Sequence, residues 1–449
     1  MTERLVVVGG DAAGMSAASQ AKRLAPDLEI IAFERGDYVS YSACGEPYVM
    51  GGEVAEVDDL VARTPAEFAA RDISVHLRSE VMEIDLDRRT ILVDSAGDRS
   101  EIGFDYLMYS TGARPLRPPS VAGAEKALGL RWLNDADHLR ELVDRGTRKA
   151  VVVGGGYIGL EVAEAFAHRG RNVTLVTSGE HVLTRTLDPD MGSLADAAVR
   201  RLGIELVTGV YIDTIEEHEA HGGGHDFLGD VVVIGLGTSP ESELARQAGI
   251  ETGVTGAVAV NSFQETNQPG VWSGGDCAEA THRVSGRQVN MALGTVANKT
   301  GRVAGTNIGN TAVGDSERET FPGVLGTAIT KVGEVEIART GLLTGESVIY
   351  GYEPAVGTVT GTNTAGYWPT ATRVDVRLIA DHISRRVLGG QIVGGPGSGK
   401  KIDVIATAIW AQMSIDELAW VDLAYAPPFS SVWDLIHIAA RRAAGRQLS

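Results

Sequence analysis

Two copies of one glycine pattern, each between a valine-rich run and a helical segment, limit the folds open to this 449-residue chain. Residues 4–14 read RLVVVGGDAAG, and residues 149–159 read KAVVVGGGYIG. A short buried strand, a glycine turn and a helix form a βα unit whose helix N-terminus offers free N–H groups to a pyrophosphate. We therefore expect an α/β fold with two Rossmann-like dinucleotide-binding domains.

The first glycine pattern departs from G-x-G-x-x-G because Asp11 stands at the position of the middle glycine. Since Asp is a good helix N-cap, this pattern alone is also typical of an ordinary α/β unit. The next apolar run ends at Glu34, where an acid can accept a hydrogen bond from a ribose hydroxyl. The candidate dinucleotide contacts here are Gly9, Gly10, Asp11, Ala12, Ala13, Gly14, Glu34 and Arg35.

The second pattern is complete, and its second strand is expected to end at Thr177. Two dinucleotides on one chain indicate electron transfer between them, and flavin plus nicotinamide is the usual pair. Without an acid at Thr177 nothing repels a 2′-phosphate, although no arginine is adjacent and Arg185 lies eight residues further on. We expect use of both NADPH and NADH, with a slight preference for NADPH. The candidate contacts are Gly154, Gly156, Tyr157, Ile158, Gly159 and Thr177.

Three further apolar runs end in small or polar residues, as strands do beside a dinucleotide. The first ends at Ser110, Thr111 and Gly112, the second reaches Gly237, and the third ends at Asp276. A carboxylate at Asp276 can accept a hydrogen bond from a polyol.

The net charge of −19 argues against a nucleic-acid partner, whose phosphates require basic residues. Two cysteines cannot form a disulfide framework, which favours a reducing compartment. We expect no signal peptide, because the first residues run straight into a predicted strand, and the sequence has no apolar run of about 18 residues. We expect a cytoplasmic protein.

Over its full length the chain resembles the pyridine nucleotide–disulfide oxidoreductases, in which the first fingerprint binds FAD and the second binds NAD(P)H. The resemblance implies that Asp276 holds the flavin ribityl or phosphate, and that Ser42 and Val81 also lie at the flavin. It also implies a homodimer and three domains. These are an FAD domain (1–115 and 240–320), an inserted NAD(P)H domain (116–239) and an α+β dimerisation domain (322–449).

Cys44 lies in the segment YSACGEPY, after the strand that ends at Glu34. Members with a redox disulfide carry C-x4-C here, but the second position is Val49. The segment resembles S-x-x-x-C-G-x-P-Y of the single-cysteine branch, which contains coenzyme A–disulfide reductases, NADH oxidases and peroxidases, and persulfide reductases. We expect Cys44 to be the reactive thiol and Cys277 to be a small buried residue.

Two C-terminal segments, AGYWP and DLAYAPPFSSVWD, resemble the tyrosine-bearing segments of the coenzyme A–disulfide reductases. The resemblance implies that Tyr425, from the partner subunit, faces the thiol and donates a proton to the released thiolate. Tyr367 fits such a role or packing at a dimer interface equally well. The first glycine turn carries Asp11 and no histidine, which weakens the peroxidase interpretation. Ala43 replaces an Asn found in some relatives before the cysteine.

The same resemblance implies that Ser16, Gln20, Arg23 and Ser40 contact coenzyme A. Arg23 suits a phosphate, but a cation at a helix C-terminus is also favourable without any ligand.

The favoured function is NAD(P)H-dependent reduction, through FAD and Cys44, of coenzyme A disulfide or of a coenzyme A persulfide or polysulfide. The main alternative is an NAD(P)H oxidase that reduces dioxygen or peroxide, with Cys44 as sulfenate. A redox-sensing protein with vestigial flavin chemistry is a third hypothesis.

Two other motifs are given no function. GGPGSGK (394–400) resembles a P-loop, but Lys401 follows where magnesium binding needs Ser or Thr. HGGGH (221–225) is interpreted as a flexible loop with two histidines and no acidic partners, so no metal site is predicted.

Overall fold

The computed structural model describes residues 3–445. Its first part carries a parallel sheet and an antiparallel sheet. Buried valines and isoleucines fill the parallel strands, as expected for a sheet covered on both faces. The elements are β1 (Arg4–Val8), α1 (Ala12–Leu24), β2 (Glu29–Phe33), α2 (Glu46–Gly51), α3 (Pro65–Ala69), β3 (Ile73–His76), β4 (Ser79–Asp85), β5 (Thr90–Ser95), β6 (Asp98–Gly103), β7 (Tyr106–Tyr109) and β8 (Ala113–Pro115).

The next part contains a second parallel sheet and a short antiparallel one. The elements are α4 (Leu133–Asp144), β9 (Lys149–Val153), α5 (Tyr157–His168), β10 (Asn172–Val176), α6 (Pro189–Arg201), β11 (Glu205–Val207), β12 (Thr214–Glu216), β13 (Glu219–Gly222), β14 (His225–Leu228), β15 (Val231–Ile234) and β16 (Thr238–Pro240). The parallel order is β11-β10-β9-β15, and β12-β13-β14 form the antiparallel sheet.

After β16, which pairs with β8, the chain returns to the first sheet. The next elements are α7 (Glu243–Gln247), β17 (Val271–Ser273), β18 (Glu279–Thr281), β19 (Gln288–Asn290) and α8 (Gly294–Ala312). The first sheet therefore has the order β17-β7-β1-β2-β3, with all neighbours parallel. Helix α8 packs along α1, where glycines allow close approach: a Cβ at Gly301 or Gly305 would collide with the backbone of Ala13 or Ala17.

The C-terminal part is an antiparallel sheet of order β20-β21-β24-β23-β22 covered by helices. Its elements are β20 (Ala328–Val332), β21 (Val335–Gly341), α9 (Thr344–Ile349), β22 (Pro354–Thr362), β23 (Arg373–Asp381), β24 (Val387–Gly394), α10 (Ile402–Trp410), α11 (Ile415–Leu418) and α12 (Leu435–Ala443). Helices α10 and α12 bury their apolar faces on β24, β23 and β22. The fold is a mixed α/β architecture with two Rossmann-like sheets and an α+β C-terminal domain, as predicted.

Candidate functional site

The turn between β1 and α1 brings backbone groups into close contact. Gly9 has φ +102°, and a Cβ there would collide with the carbonyl oxygen of Ser110. The N–H of Gly10 donates to Glu34 Oε2 at 2.8 Å, which ties the end of β2 to the turn. Glu34 Oε1 accepts from the Gly36 N–H at 2.8 Å.

Asp11 does not cap α1, contrary to the simple N-cap interpretation. Its Oδ1 instead accepts the backbone N–H of Tyr41 at 3.1 Å, so the first amides of α1 have no side-chain cap. Burial raises the pKa of Asp11 to about 6, although the Tyr41 amide and the Arg131 charge lower it. Uncapped amides beside a glycine cradle fit the pyrophosphate of FAD. The first-turn residues Ala12, Ala13 and Gly14 lie at this helix end.

Arg131 is a residue of the site that the sequence interpretation missed. Its Nη2 donates to Asp276 Oδ2 at 2.9 Å, and its Nε donates to the Ala113 carbonyl at 2.9 Å. The guanidinium thus holds the end of β17 against the chain leaving β7. It lies in GLRWLND, a stretch without a motif, so no local signal marks it.

Cys44 lies in a short 3-10 turn, Ala43–Gly45, immediately before α2, and it is exposed. Protein packed on one side removes solvent from the thiol and raises its pKa. The carboxylates of Glu161, Glu46 and Asp276 raise it further, while Arg131 opposes them. The thiolate must therefore form in an acidic setting, unlike the electropositive surroundings usual for reactive cysteines.

Two acids near this thiol, the buried Glu46 and the half-buried Glu161, were also missed by the sequence interpretation. Burial raises the pKa of Glu46 to about 8 and that of Glu161 to about 7. Glu161 Oε1, on α5, accepts the hydroxyl of Thr330 on β20 at 2.9 Å. The thiol region is therefore bordered by the second and C-terminal parts of the chain as well as the first.

Cys277 is fully buried, with no exposed surface, as predicted. Its Sγ contacts the Gly274 carbonyl at 3.4 Å, and burial raises its pKa. Only one of the two cysteines is therefore open to a substrate.

The turn between β9 and α5 repeats the backbone of the first turn. Gly154 has φ +117°, and a Cβ there would meet the Gly235 carbonyl. Gly156 precedes α5 without a side-chain cap, Tyr157 and Ile158 are half-buried, and Gly159 is buried. This arrangement fits the pyrophosphate of NAD(P)H.

Thr177 follows β10 and is buried, and its Oγ1 accepts the Gly179 N–H at 3.3 Å. Arg185 is exposed. Gly237 has φ +104° and its carbonyl accepts the Leu116 N–H at 2.8 Å, where two linking strands meet.

The other predicted flavin contacts lie around the carboxyl edge of the first sheet. Ser110 Oγ donates to the Val8 carbonyl at 3.0 Å, and Thr111 Oγ1 donates to the Glu241 carbonyl at 2.6 Å. Gly112 next to them has φ +71°. Arg35 lies 5.4 Å from the ring of Trp132.

Two more predicted flavin contacts, Ser42 and Val81, differ in solvent exposure. The Ser42 side chain is exposed, and its N–H donates to the Leu60 carbonyl at 2.9 Å. The Val81 side chain is buried in the apolar cluster between β4 and the first sheet.

The four predicted coenzyme A residues fall into two places. Ser16 Oγ donates to Asn298 Oδ1 at 3.0 Å, and Gln20 Nε2 donates to Thr306 Oγ1 at 3.2 Å, so both bridge α1 to α8. The exposed Arg23 donates to Gln20 Oε1. Ser40 has φ +50° and its N–H donates to the Gly10 carbonyl at 3.0 Å.

Tyr367 and Tyr425 lie on the surface of the C-terminal part, 75% and 46% exposed. Neither hydroxyl has a hydrogen-bond partner within residues 3–445. Trp420, Phe429 and Trp433 are exposed nearby in sequence, which gives this surface an apolar character.

In the P-loop-like segment (394–400), the backbone amides bind a carboxylate of the protein itself. The N–H groups of Gly397 and Gly399 donate to Glu336 Oε1 and Oε2 at 2.8 and 2.6 Å. Lys400 pairs with Asp403. A carboxylate therefore occupies the amides that a phosphate would need.

The interpretation of HGGGH was wrong on two points. The segment is a β-hairpin turn between β13 and β14, with Gly223 and Gly224 at positive φ. His221 also has acidic partners: Nδ1 lies 2.8 Å from Asp226 Oδ1, and Nε2 lies 3.5 Å from Glu219 Oε2. Carboxylates raise the pKa of this histidine, first through the Asp226 hydrogen bond.

No helix within residues 3–445 combines the length and apolarity needed to cross a membrane. Two glycine turns with uncapped helix ends and an exposed cysteine near the first define a flavin- and nicotinamide-dependent oxidoreductase. FAD held at the first turn would supply the transfer of an electron pair from NAD(P)H.

Residues 3–301 match the family model "Pyridine nucleotide-disulphide oxidoreductase", and residues 327–435 match its dimerisation domain. The chain belongs to this family. It is 35% identical over 448 residues to the NAD(P)H coenzyme A polysulfide/persulfide reductase of Pyrococcus horikoshii, covering 98% of each chain.

Two further relatives extend the comparison. The coenzyme A disulfide reductase of Staphylococcus haemolyticus is 31% identical over 449 residues, covering 98% of this chain and 99% of the other. The structure of a NAD-dependent persulfide reductase from A. fulgidus superposes with a TM-score of 0.94 at 38% identity, covering 98% of this chain and 83% of that one. The predicted family and enzyme class are confirmed, and the dimerisation domain supports a homodimer.

Proposed function

We propose that this enzyme uses NAD(P)H to reduce coenzyme A disulfide, or a coenzyme A persulfide or polysulfide, through Cys44. The proposal is carried by the difference between the two cysteines: Cys44 is exposed, whereas Cys277 is fully buried. Because the chain has no second accessible thiol, the other sulfur of the redox disulfide arrives with the substrate.

In the first half-reaction the Cys44 thiolate attacks one sulfur of the substrate disulfide. The substrate S–S bond breaks, a Cys44 mixed disulfide forms, and the departing thiolate takes a proton from solvent. In the second, the electron pair that originates from NAD(P)H cleaves the mixed disulfide and regenerates the Cys44 thiolate. The second product thiolate takes its proton from Tyr425 of the partner subunit, which regains one from solvent, while the proton that came with the hydride is released. In total one NAD(P)H and one proton convert one disulfide into two thiols.

The exposure of Tyr425 supports a role across the dimer interface, because its hydroxyl has no partner within residues 3–445 of its own chain. Tyr367, on the same domain, is proposed to support the thiol or the interface. A site shared between subunits explains why a dimerisation domain accompanies a complete pair of dinucleotide units.

Ser16, Gln20, Arg23 and Ser40 are proposed to hold coenzyme A. The exposed Arg23 guanidinium can pair with a phosphate of coenzyme A once it leaves Gln20. We further propose dual use of NADPH and NADH, and a cytoplasmic location, where coenzyme A and NAD(P)H are available.

The test compares Cys44→Ser with Cys277→Ser in the FAD-loaded enzyme. Cys44→Ser is expected to lose NAD(P)H-dependent reduction of coenzyme A disulfide while NAD(P)H still bleaches the flavin. Cys277→Ser, at the buried thiol, should keep both reactions. A Cys44→Ser enzyme with full NAD(P)H oxidase turnover, from a parent that no disulfide stimulates, would favour the oxidase instead. Mass spectrometry of the non-reduced protein gives a second measurement, with a coenzyme A adduct expected on Cys44.

A further inference from the structure

The small sheet of β12, β13 and β14 has one apolar face and one charged face. Because side chains alternate along a strand, the paired residues Ile215, Ala220 and Phe227 share the face that packs into an apolar cluster. The opposite face carries three acids and one histidine: Glu216, Glu219, His221 and Asp226. The register of the sheet therefore gathers these four polar side chains on its outer surface.

One ring nitrogen of His221 is held by Asp226, which leaves the other nitrogen open. Nδ1 lies 2.8 Å from Asp226 Oδ1, so Nδ1 carries a proton and donates it to the carboxylate. In the neutral imidazole the lone pair is then on Nε2. Nε2 makes no hydrogen bond within residues 3–445, and Glu219 Oε2 lies 3.5 Å from it. A nitrogen lone pair and a carboxylate oxygen therefore face each other without a bond between them.

The spacing of these atoms suits one metal ion. A tetrahedral ion with bonds of about 2.0–2.1 Å holds neighbouring ligand atoms about 3.3 Å apart, close to the distance between Nε2 and Glu219 Oε2. One ligand atom from each of Glu219, His221 and Asp226 lies within 4.8 Å of the other two. A hydrogen bond from the second ring nitrogen to a carboxylate is the usual companion of a metal-bound histidine, because it fixes the orientation of the ring.

The charges on this face favour a dication. Glu216 lies directly opposite Glu219 in the register of β12 and β13, and it pairs with Lys126. Both side chains of that ion pair are about half exposed, so the pair is weak and does not hold Glu216 firmly. With three carboxylates and one lysine, the face keeps a net negative charge when His221 is neutral.

We propose that Glu219 and His221 bind a divalent transition-metal ion such as Zn²⁺ on the outer face of this sheet, with Asp226 as the positioning residue that holds the imidazole. An imidazole nitrogen beside carboxylates suits such ions, whereas Mg²⁺ and Ca²⁺ prefer oxygen ligands alone. Water completes the coordination, because both ligands are partly exposed. None of these residues belongs to the thiol site, so the failure of this proposal leaves the proposed function unaffected.

The first test titrates Zn²⁺ by calorimetry into metal-free, FAD-loaded enzyme in which Cys44 has been alkylated, so that the thiol cannot bind the ion. The parent should bind one Zn²⁺ per chain, and His221→Gln and Glu219→Gln should each lose that binding while retaining FAD. His225→Gln is the matched control, because His225 lies on the apolar side near the ring of Phe227 and should not contribute. A parent that binds no Zn²⁺, or a His221→Gln protein that binds it like the parent, overturns the proposal.

The role of Asp226 has a separate readout in the same titration. Asp226→Ala should weaken Zn²⁺ binding about 10- to 100-fold, because the imidazole loses the group that orients it. Asp226→Asn keeps an oxygen that can accept the Nδ1 proton and should recover part of the loss. If Asp226→Ala binds Zn²⁺ as tightly as the parent, Asp226 does not position the ligand and that part of the proposal fails.

A crystallographic measurement needs no variant. Anomalous scattering at the zinc edge, from crystals of the parent soaked in Zn²⁺, should give a peak about 2.0–2.1 Å from both His221 Nε2 and a carboxylate oxygen of Glu219. An excess of Mg²⁺ in the soak should leave the peak in place. No peak at these two atoms, or a peak that Mg²⁺ removes, overturns the proposal.

Discussion

The two glycine turns of the molecule share a backbone and differ in the side chains around it. Gly9 and Gly154 have φ of +102° and +117°, and each lies against the carbonyl of a neighbouring strand end. Two acids, Asp11 and Glu34, lie at the first turn. The corresponding residues of the second turn are Gly156 and Thr177.

This difference shows that backbone amides bind the phosphates, whereas the side chains around each turn select the dinucleotide. The pyrophosphate needs only amides and room, so both turns preserve the glycines and the uncapped helix start. The groups that meet the rest of each cofactor are side chains, and these have diverged. In the first turn they also connect, through Tyr41, to the segment that carries Cys44.

The largest expected effect comes from replacing the first glycine of each turn, Gly9 or Gly154, with alanine. Gly9→Ala should yield protein without bound FAD, because the added methyl collides with Ser110 and the residue keeps a left-handed φ. Gly154→Ala should retain FAD but lose about 100-fold or more in the rate of flavin reduction by NAD(P)H. Flavin absorbance and stopped-flow reduction measure the two losses.

Gly146 provides the control for backbone strain in that experiment. It has φ +112°, but a Cβ there would meet nothing within 4 Å. Gly146→Ala should leave both cofactor activities intact. If Gly9→Ala binds FAD like the parent, or if Gly146→Ala loses either activity, collision at the turn is not what limits binding.

The next effect concerns the acid that the second unit lacks. Thr177→Asp should lower kcat/KM with NADPH by about 10- to 100-fold relative to NADH, because a carboxylate there repels a 2′-phosphate. Thr177→Asn has a similar shape without the charge and should change the ratio little. Steady-state kinetics with both nucleotides decide the matter, and an equal loss in both variants would mean that packing at this buried position dominates.

How much could be read from the sequence depends on how local each feature is. The strand, turn and helix around Gly9 and Gly154 lie within about a dozen residues each, so their pattern predicts them well. Arg131 and Asp276 lie 145 residues apart in the sequence and only the folded chain brings them together, so no spacing rule indicates the pair. Glu46 lies beside Cys44 in the sequence, but its burial depends on α4 and α5.

The HGGGH segment shows that even contacts between residues close in the sequence depend on the fold. Its glycines suggested flexibility, yet Gly223 and Gly224 adopt the positive φ of a tight hairpin turn. Strand pairing then sets His221 opposite Asp226. The acid lay five residues away in the sequence, and only the register of β13 and β14 makes it a partner.

The smallest expected effect is a pH dependence of FAD binding at the first turn, which NAD(P)H binding at the second turn should lack. Asp11 is uncharged below about pH 6 and negative above it, and its negative form disfavours a pyrophosphate at the same turn. FAD binding to the apoprotein should therefore weaken about 3- to 10-fold as the pH rises from about 5 to about 7. Asp11→Asn should abolish this dependence, while Asp27→Asn, at an exposed acid beyond α1, should keep it. NAD(P)H binding, at a turn without an acid, should show no such step in either variant. Fluorescence titration with FAD measures the effect, and an unchanged pH dependence in Asp11→Asn would show that Asp11 is not its cause.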